Sequence, residues 1–209
     1  MDQRIINLFD EYTHRPLSRE VFLKRLAQLT GSSTTALAVL PLLESNYANA
    51  ATTSELDDSL VTEDITYPGS TTEMKGYLAK PKTSRKLGSI IVIHENRGLN
   101  PHTQDIARRL AKAGFMTLAV DALSPFGGTP ANEDDARALF AKLNAEENVQ
   151  NFLKGFDYLL SRKESNGKTG CIGFCWGGAL SNQLAVHSPK LKAAVAYYGR
   201  QPNAADVPS

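Results

Sequence analysis

Lys168-Thr169-Gly170-Cys171-Ile172-Gly173-Phe174-Cys175-Trp176-Gly177-Gly178-Ala179-Leu180 decides how the rest of the chain is read. Asn166-Gly167 before it is a turn signal. Thr169 to Phe174 is short, mostly apolar and bounded by glycines, as a buried strand is. From Ala179 to His187 the spacing of Leu180, Leu184 and Ala185 is helical. Between strand and helix stands G-x-C-x-G, Gly173 to Gly177, a nucleophile-elbow pattern with cysteine where serine is commoner. A nucleophile on so tight a turn has strained dihedrals, and side chains two residues to either side of it would collide. The turn aims the Cys175 sulfur away from the sheet and sets it at a helix N-terminus, whose partial positive charge favours thiolate. It also leaves the Trp176 N–H to face a developing oxyanion. A buried, inert cysteine is the competing reading. A dinucleotide fingerprint fits less well: G-x-G-x-x-G needs glycine at Cys175, and no acidic residue stands about 20 positions on.

The 209 residues allow one ordinary domain plus an extension. Lys and Arg number 23 against 22 Asp and Glu, and no basic cluster stands out, so no nucleic-acid partner is expected. Cys171 and Cys175 would lie about 13 Å apart in an extended strand, too far for a disulfide. C-x-x-x-C without nearby His or Cys is a poor zinc signal. No metal or cofactor is expected, and cysteine usage leaves the compartment open.

Residues 1–55 differ in character from the rest. Ile5, Ile6, Phe9 and Tyr12 suggest a short helix that Pro16 breaks. Ser18 is an N-cap for a second, with Phe22, Leu26 and Leu29 at helical spacing and Gly31 to stop it. Thr34 to Leu43 is an apolar, small-residue run, followed by Ala48-Asn49-Ala50. Two readings stand. One is an export leader, in which Ser18-Arg19-Glu20-Val21-Phe22-Leu23-Lys24 resembles a twin-arginine stretch and A-N-A a cleavage site. The other is a helical extension that stays on the protein. The run is far short of the ~20 residues that span a bilayer, so no stable membrane insertion is expected. Glu20 stands where a second arginine belongs. The expectation is therefore a cytoplasmic chain, or a periplasmic one should the leader work.

From Leu60 the pattern settles. Thr62 to Tyr67 and Lys75 to Lys80 read as an antiparallel pair around the Pro68-Gly69-Ser70 turn. Ser89 to His94 is a central buried strand, Thr103 to Ala113 a helix stopped by Gly114, and Phe115 to Asp121 the next strand. Helices around Asn132 to Leu143 and Glu146 to Leu160 follow, then the elbow strand, its helix, and Ala193 to Tyr198 as a last strand. Alternation of this kind predicts a mostly parallel sheet covered on both faces. Sites in such sheets lie outside the carboxyl ends of the strands, where His94 to Gly98, Asp121 to Pro125 and the elbow arrive.

I-V-I-H-E-N-R-G-L-N after the central strand, V-D-A-L-S-P after the next, N-G-K-x-G-x-x-G-F-C-W-G-G-A at the elbow and A-V-A-Y-Y-G afterwards together resemble the dienelactone hydrolase family. The resemblance runs from about Leu60 to the C-terminus. It implies an α/β-hydrolase fold and hydrolysis of a small-molecule ester or lactone. Cys175 matches the family nucleophile, which forms an acyl-thioester. Glu95 matches the carboxylate beside the resting thiol, where it would keep that thiol protonated. The N–H groups of Asn96 and Trp176 match the oxyanion donors. Arg97 and Arg137 are candidate substrate-binding cations, with Glu133 competing for the position of the family's carboxylate-gripping arginine. Asp121 should bond to loop N–H groups, and His94 and His102 should make loop polar contacts at the mouth of the site.

The resemblance also implies an acid and a histidine after the nucleophile. There the chain holds only Asp206 and His187. His187 lies twelve residues on, about 18 Å along the same helix. Six strands are legible where the family has eight, so residues 56–209 read as an α/β-hydrolase domain lacking its last two strands. The expected function is a dienelactone-hydrolase-type cysteine hydrolase of doubtful activity. The alternatives are a non-catalytic remnant or interaction module, and a chain completed by a separately encoded C-terminal fragment.

Overall fold

The computed structural model describes residues 2–14, 17–48, 53–54 and 57–207. The chain forms two compact units, Met1–Ala51 and Thr52–Ser209.

The first unit holds α1 (Gln3–His14), α2 (Arg19–Thr30) and α3 (Ser33–Ala48). The Ser18 hydroxyl accepts the Val21 N–H at the start of α2, and Gly31 ends that helix at φ 83°, a left-handed cap that glycine adopts freely. Phe22 and Leu26 are fully buried among Ile5, Leu8, Phe9 and Tyr12, and the Tyr12 and Phe22 rings stack at 4.1 Å. The Thr34–Leu43 run is part of α3, a helix absent from the sequence reading, and it sends Ala36 and Leu40 into the same core. Pro16, Asn49 and Ala50 lie outside the described residues. No helix among the described residues is long and apolar enough to cross a membrane.

The second unit is an α/β layer. Its strands are β1 (Leu60–Pro68), β2 (Glu73–Pro81), β3 (Leu87–Ile93), β4 (Met116–Asp121), β5 (Ser165–Phe174) and β6 (Ala193–Tyr197). They form one sheet in the order β1-β2-β4-β3-β5-β6. β1 and β2 pair antiparallel, as do β2 and β4; β4, β3, β5 and β6 run parallel. The helices are α4 (Pro101–Lys112), α5 (Glu133–Phe140), α6 (Ala145–Ser161) and α7 (Trp176–His187).

The two-residue period of the strands builds both cores. Ile91, Ile93, Leu118 and Val120 face Phe152, Phe156 and Leu184 from α6 and α7. Val92 and Ala119 face Ala107 and Ala111 of α4. β3 and β4 are buried on both sides, which is why they read as nearly unbroken apolar runs. β6, at the edge of the sheet, is exposed along its whole length. From β3 the chain goes to β4 on one side and later to β5 on the other. The carboxyl ends of β3 and β5 therefore flank a topological switch point, where crevices form in sheets of this kind.

Candidate active site

Cys175 links the end of β5 to the start of α7 with φ 53° and ψ −112°. A positive φ on a residue with a side chain costs of order 1–3 kcal/mol and persists only where its surroundings enforce it. Here they do. The Cys175 N–H donates to the Tyr197 carbonyl at 3.0 Å, tying the elbow to the end of β6, and the Ala179 N–H donates to the Cys175 carbonyl. A Cβ on Gly173 would lie 2.0 Å from the Gly177 carbonyl oxygen; one on Gly177 would lie 2.5 Å from that of Ile93 and 2.6 Å from that of His94. The elbow is thus pressed against the carboxyl end of β3, and the glycine spacing in the sequence is the imprint of that approach. As the first residue of α7, Trp176 has an N–H with no acceptor inside the helix. Cys171, four residues earlier, is buried within β5, and burial pushes its thiol up to about 11 against a weaker opposing pull from Ser181.

The loop after β3 carries Glu95, Asn96 and Arg97, all half-buried. Glu95 accepts a hydrogen bond from the Tyr198 hydroxyl at 3.0 Å. Tyr198 is the other non-glycine residue with positive φ among the described residues, at 42°. A side chain from the end of β6 thus reaches across the elbow to the loop after β3. The spacing of A-V-A-Y-Y-G carried no sign of this contact. Gly98 packs against Thr129, whose hydroxyl accepts the Leu99 N–H. Thr129 is held in turn by Asp121, which accepts from its N–H and hydroxyl and from the Leu123 N–H. Asp121 therefore bonds to loop N–H groups, as expected, and fastens the loops after β3 and β4 together.

The structure places three further residues singled out in the sequence. The Arg97 side chain is only 11% exposed and is paired with Glu133 on α5. Arg137 is set against Asp134 one turn away, at 3.9 Å. Both cations are engaged by carboxylates that a sequence reading places on separate elements or on a solvated face. His94 is not at the mouth of the site but beneath it, 1% exposed. Its ring stacks on Trp176 at 5.7 Å with the edge of Phe140 against it. Burial lowers its pKa, against the opposing pulls of the Glu95 carbonyl and the Asp121 and Glu95 carboxylates.

A cleft of about 630 Å³ opens beside Trp176, between the first turns of α6, the flank of α7 and the segment after β6. His187 and Asp206 line it; Cys175 does not. The His187 ring is bonded to the Gln183 carbonyl on its own helix. The structure therefore gathers Cys175, Glu95, Asn96 and Trp176 at the ends of β3 and β5, and leaves His187 at the far end of α7. No cluster of three or more His, Cys, Asp or Glu suited to a metal ion occurs among the described residues.

The chain is similar to several known proteins. A protein of Escherichia coli K12 named as a hydrolase fragment, YghX, is 51% identical over 108 residues, 50% of this chain and 92% of that one. A protein of the same organism named as a carboxymethylenebutenolidase is 36% identical over 149 residues, 69% of this chain and 55% of the relative. The chain thus spans little more than half of that relative's length. The crystal structure of a protein named as a dienelactone hydrolase from Klebsiella pneumoniae superposes with a TM-score of 0.61 at 25% identity, covering 73% of this chain and 66% of the other. The profile of the dienelactone hydrolase family matches residues 74–208, the span that carries β2 to β6, the elbow and the loop after β3. The chain belongs to the dienelactone hydrolase family, and its second unit has the α/β-hydrolase fold.

Proposed function

We propose that Cys175 is the nucleophile of an ester or lactone hydrolase and that in this chain the chemistry stops at, or slows severely after, the acyl-enzyme. The observation that carries the reading is the backbone of Cys175, held at positive φ on the first turn of α7 between the carboxyl ends of β3 and β6. The thiolate attacks the carbonyl carbon and forms a C–S bond. The carbonyl oxygen takes the negative charge and is met by the N–H groups of Asn96 and Trp176, the largest source of stabilisation in acyl transfer. Collapse of this intermediate breaks the C–O bond and leaves a thioester; the departing alkoxide or enolate, which stays tethered to the acyl group in a lactone, takes up the proton the thiol gave up. Glu95, which accepts from the Tyr198 hydroxyl, is proposed to take part in activating the thiol, as the family resemblance implies. A water attacking the thioester needs a base, and His187 lies about 18 Å along α7 from the elbow.

The test is covalent. Brief treatment with p-nitrophenyl acetate followed by peptide mapping should place one acetyl group on Cys175 and none on buried Cys171, and Cys175→Ala should take up none. Equal acylation of both cysteines would mean that the elbow does not activate its thiol.

The substrate is proposed as a small ester or lactone without an arginine grip on a carboxylate, because Arg97 and Arg137 are engaged by Glu133 and Asp134. A second reading, in which the chain needs a partner, is favoured by β6. It is an exposed edge strand with Val195 and Tyr197 about half exposed. A groove of about 390 Å³ beside it is lined by Leu110, Phe115, Ile172 and Val195. An unpaired apolar edge invites strand addition. The proposed occupant is a segment like the C-terminal part of the relatives, of which this chain spans little more than half.

The chain is proposed to stay largely in the cytoplasm. The twin-arginine-like stretch forms the cap and first turn of α2 and buries Phe22 within the helical unit, and Glu20 reverses the second charge. A reporter fused after Ala51 should remain cytoplasmic, with Glu20→Arg raising export. Efficient delivery of the parent fusion to the periplasm would refute this.

A further inference from the structure

We propose that His94 is a positioning residue for acyl transfer: it fixes the Glu95–Asn96 peptide so that the Asn96 N–H points into the site as an oxyanion donor. The inference rests on the reading of Cys175 as the acylated nucleophile.

The hydrogen bonds determine the tautomer. Ala122 donates its backbone N–H to His94 Nε2 at 3.1 Å. An N–H can only donate, so Nε2 carries the lone pair and the ring proton sits on Nδ1. Nδ1 lies 2.6 Å from the Glu95 carbonyl oxygen and therefore donates to it. That carbonyl and the Asn96 N–H belong to one planar trans peptide, in which C=O and N–H point in opposite directions. Holding the oxygen down against the buried imidazole turns the N–H away from the core, towards the side where Cys175 lies. Without the Nδ1–H the peptide loses the bond that opposes its rotation.

The same ring supports the second donor. His94 stacks nearly parallel to the Trp176 indole, with an interplanar angle of 13°, and Phe140 closes on both rings edge-on. The ring is thus bonded to the loops after β3 and β4 and packed against the first residue of α7. It links the elements that carry both donors, and it touches no reacting atom itself.

The arrangement requires a neutral imidazole. A proton on Nε2 would set a donor against the Ala122 N–H. The charged groups facing the ring are Asp121 at the end of β4 and Glu95 on its own loop; Trp176 and Phe140, from α7 and α5, bring no charge. Burial outweighs these carboxylates and holds the pKa below its usual value. Since the folded value is the lower one, the contribution is complete above about pH 6.5, the unfolded value, and is lost as pH falls through the folded one.

Two reactions of the same thiolate isolate the effect. Acylation by p-nitrophenyl acetate needs the oxyanion donors, whereas alkylation by iodoacetamide is a direct displacement and does not. Their rate ratio at Cys175 cancels thiol ionisation. Two amides separate the ring's two bonds. Asn places its N–H donor at the reach of Nδ1 and keeps the Glu95 contact. Gln places its oxygen at the reach of Nε2 and keeps only the Ala122 contact. His94→Gln should lower the acylation-to-alkylation ratio about 10²-fold, the size of a lost oxyanion donor, with alkylation nearly unchanged. His94→Asn should hold the ratio within about tenfold of the parent on the same scale and remove its fall at acid pH. Equal ratios in both variants, or a drop in alkylation matching that in acylation, would overturn the inference. A parent that alkylates but never acylates would sink the hydrolase reading instead. The Asn96 amide resonance then decides: it should shift in His94→Gln and keep its place in His94→Asn, and equal shifts in both would refute the positioning role.

Discussion

Given p-nitrophenyl acetate, the purified chain should release one equivalent of p-nitrophenol and then nearly stop, and millimolar imidazole should set it turning over. The burst follows from the elbow; the stall follows from where the histidines lie. His94 has both ring nitrogens committed, to the Glu95 carbonyl and the Ala122 N–H. His187 is bonded to Gln183 at the far end of α7. General acid–base help is typically worth about 10²–10⁴-fold, and water attacking a thioester needs it more than the thiolate does. Imidazole in solution supplies a base that neither His94 nor His187 provides, so the steady rate should rise with its concentration while the burst amplitude stays fixed. Supplying the C-terminal part of the Escherichia coli carboxymethylenebutenolidase-named relative in trans tests the partner reading separately. Restored turnover without imidazole would support a segment docking on β6, and no change would refute it. Steady hydrolysis by the unsupplemented chain, abolished in Cys175→Ala, would overturn the stall and direct attention to His102, on the first turn of α4.

The sheet was legible because buried parallel strands leave little room for polar residues. Ser89 to His94 and Phe115 to Asp121 read as strands from their apolar runs alone, and β3 and β4 lie within a residue or two of those limits. The elbow was legible for a different reason: Gly173 and Gly177 carry no Cβ, and that lets backbones meet there. α3 was missed because an apolar run of small residues looks the same whether it is threaded through an export channel or packed on α1 and α2. The site's cross-links escaped for a third reason. Arg97 to Glu133, Tyr198 to Glu95 and Thr129 to Asp121 join loops that follow different strands. Such contacts depend on strand order, and nothing local in the sequence announces that β4 inserts between β2 and β3. His94 shows the limit most clearly. Its residue type hinted at a polar contact, but its burial and tautomer are set by Ala122, on another strand's loop.

The elbow's dependence on its glycines gives the largest expected effect on stability. Gly173→Ala should lower the free energy of unfolding by about 3 kcal/mol or more, the upper end for overpacking, and abolish acylation of Cys175. The added methyl carbon would lie 2.0 Å from the Gly177 carbonyl oxygen, 2.3 Å from its carbon and 2.6 Å from Ser181 Oγ. The first two are backbone atoms in the opening turn of α7, so no side-chain rotation relieves them. That turn cannot retreat either, because Gly177 is already packed on the Ile93 and His94 carbonyls. The strain must be relieved by lifting α7 from β5, which undoes the positive φ of Cys175 and opens the Leu180 and Leu184 side of the core. Gly88→Ala, in β3, is the control: its nearest neighbours stand at 3.6 Å, ordinary contact. Without a clash, a glycine-to-alanine change mainly restricts the unfolded chain, so its effect should stay within about 1 kcal/mol. Urea unfolding of both variants, at matched slopes, measures the difference. A Gly173→Ala chain as stable as Gly88→Ala, still acylated at Cys175, would mean that the close approach of β5 and α7 is not what holds the nucleophile in place.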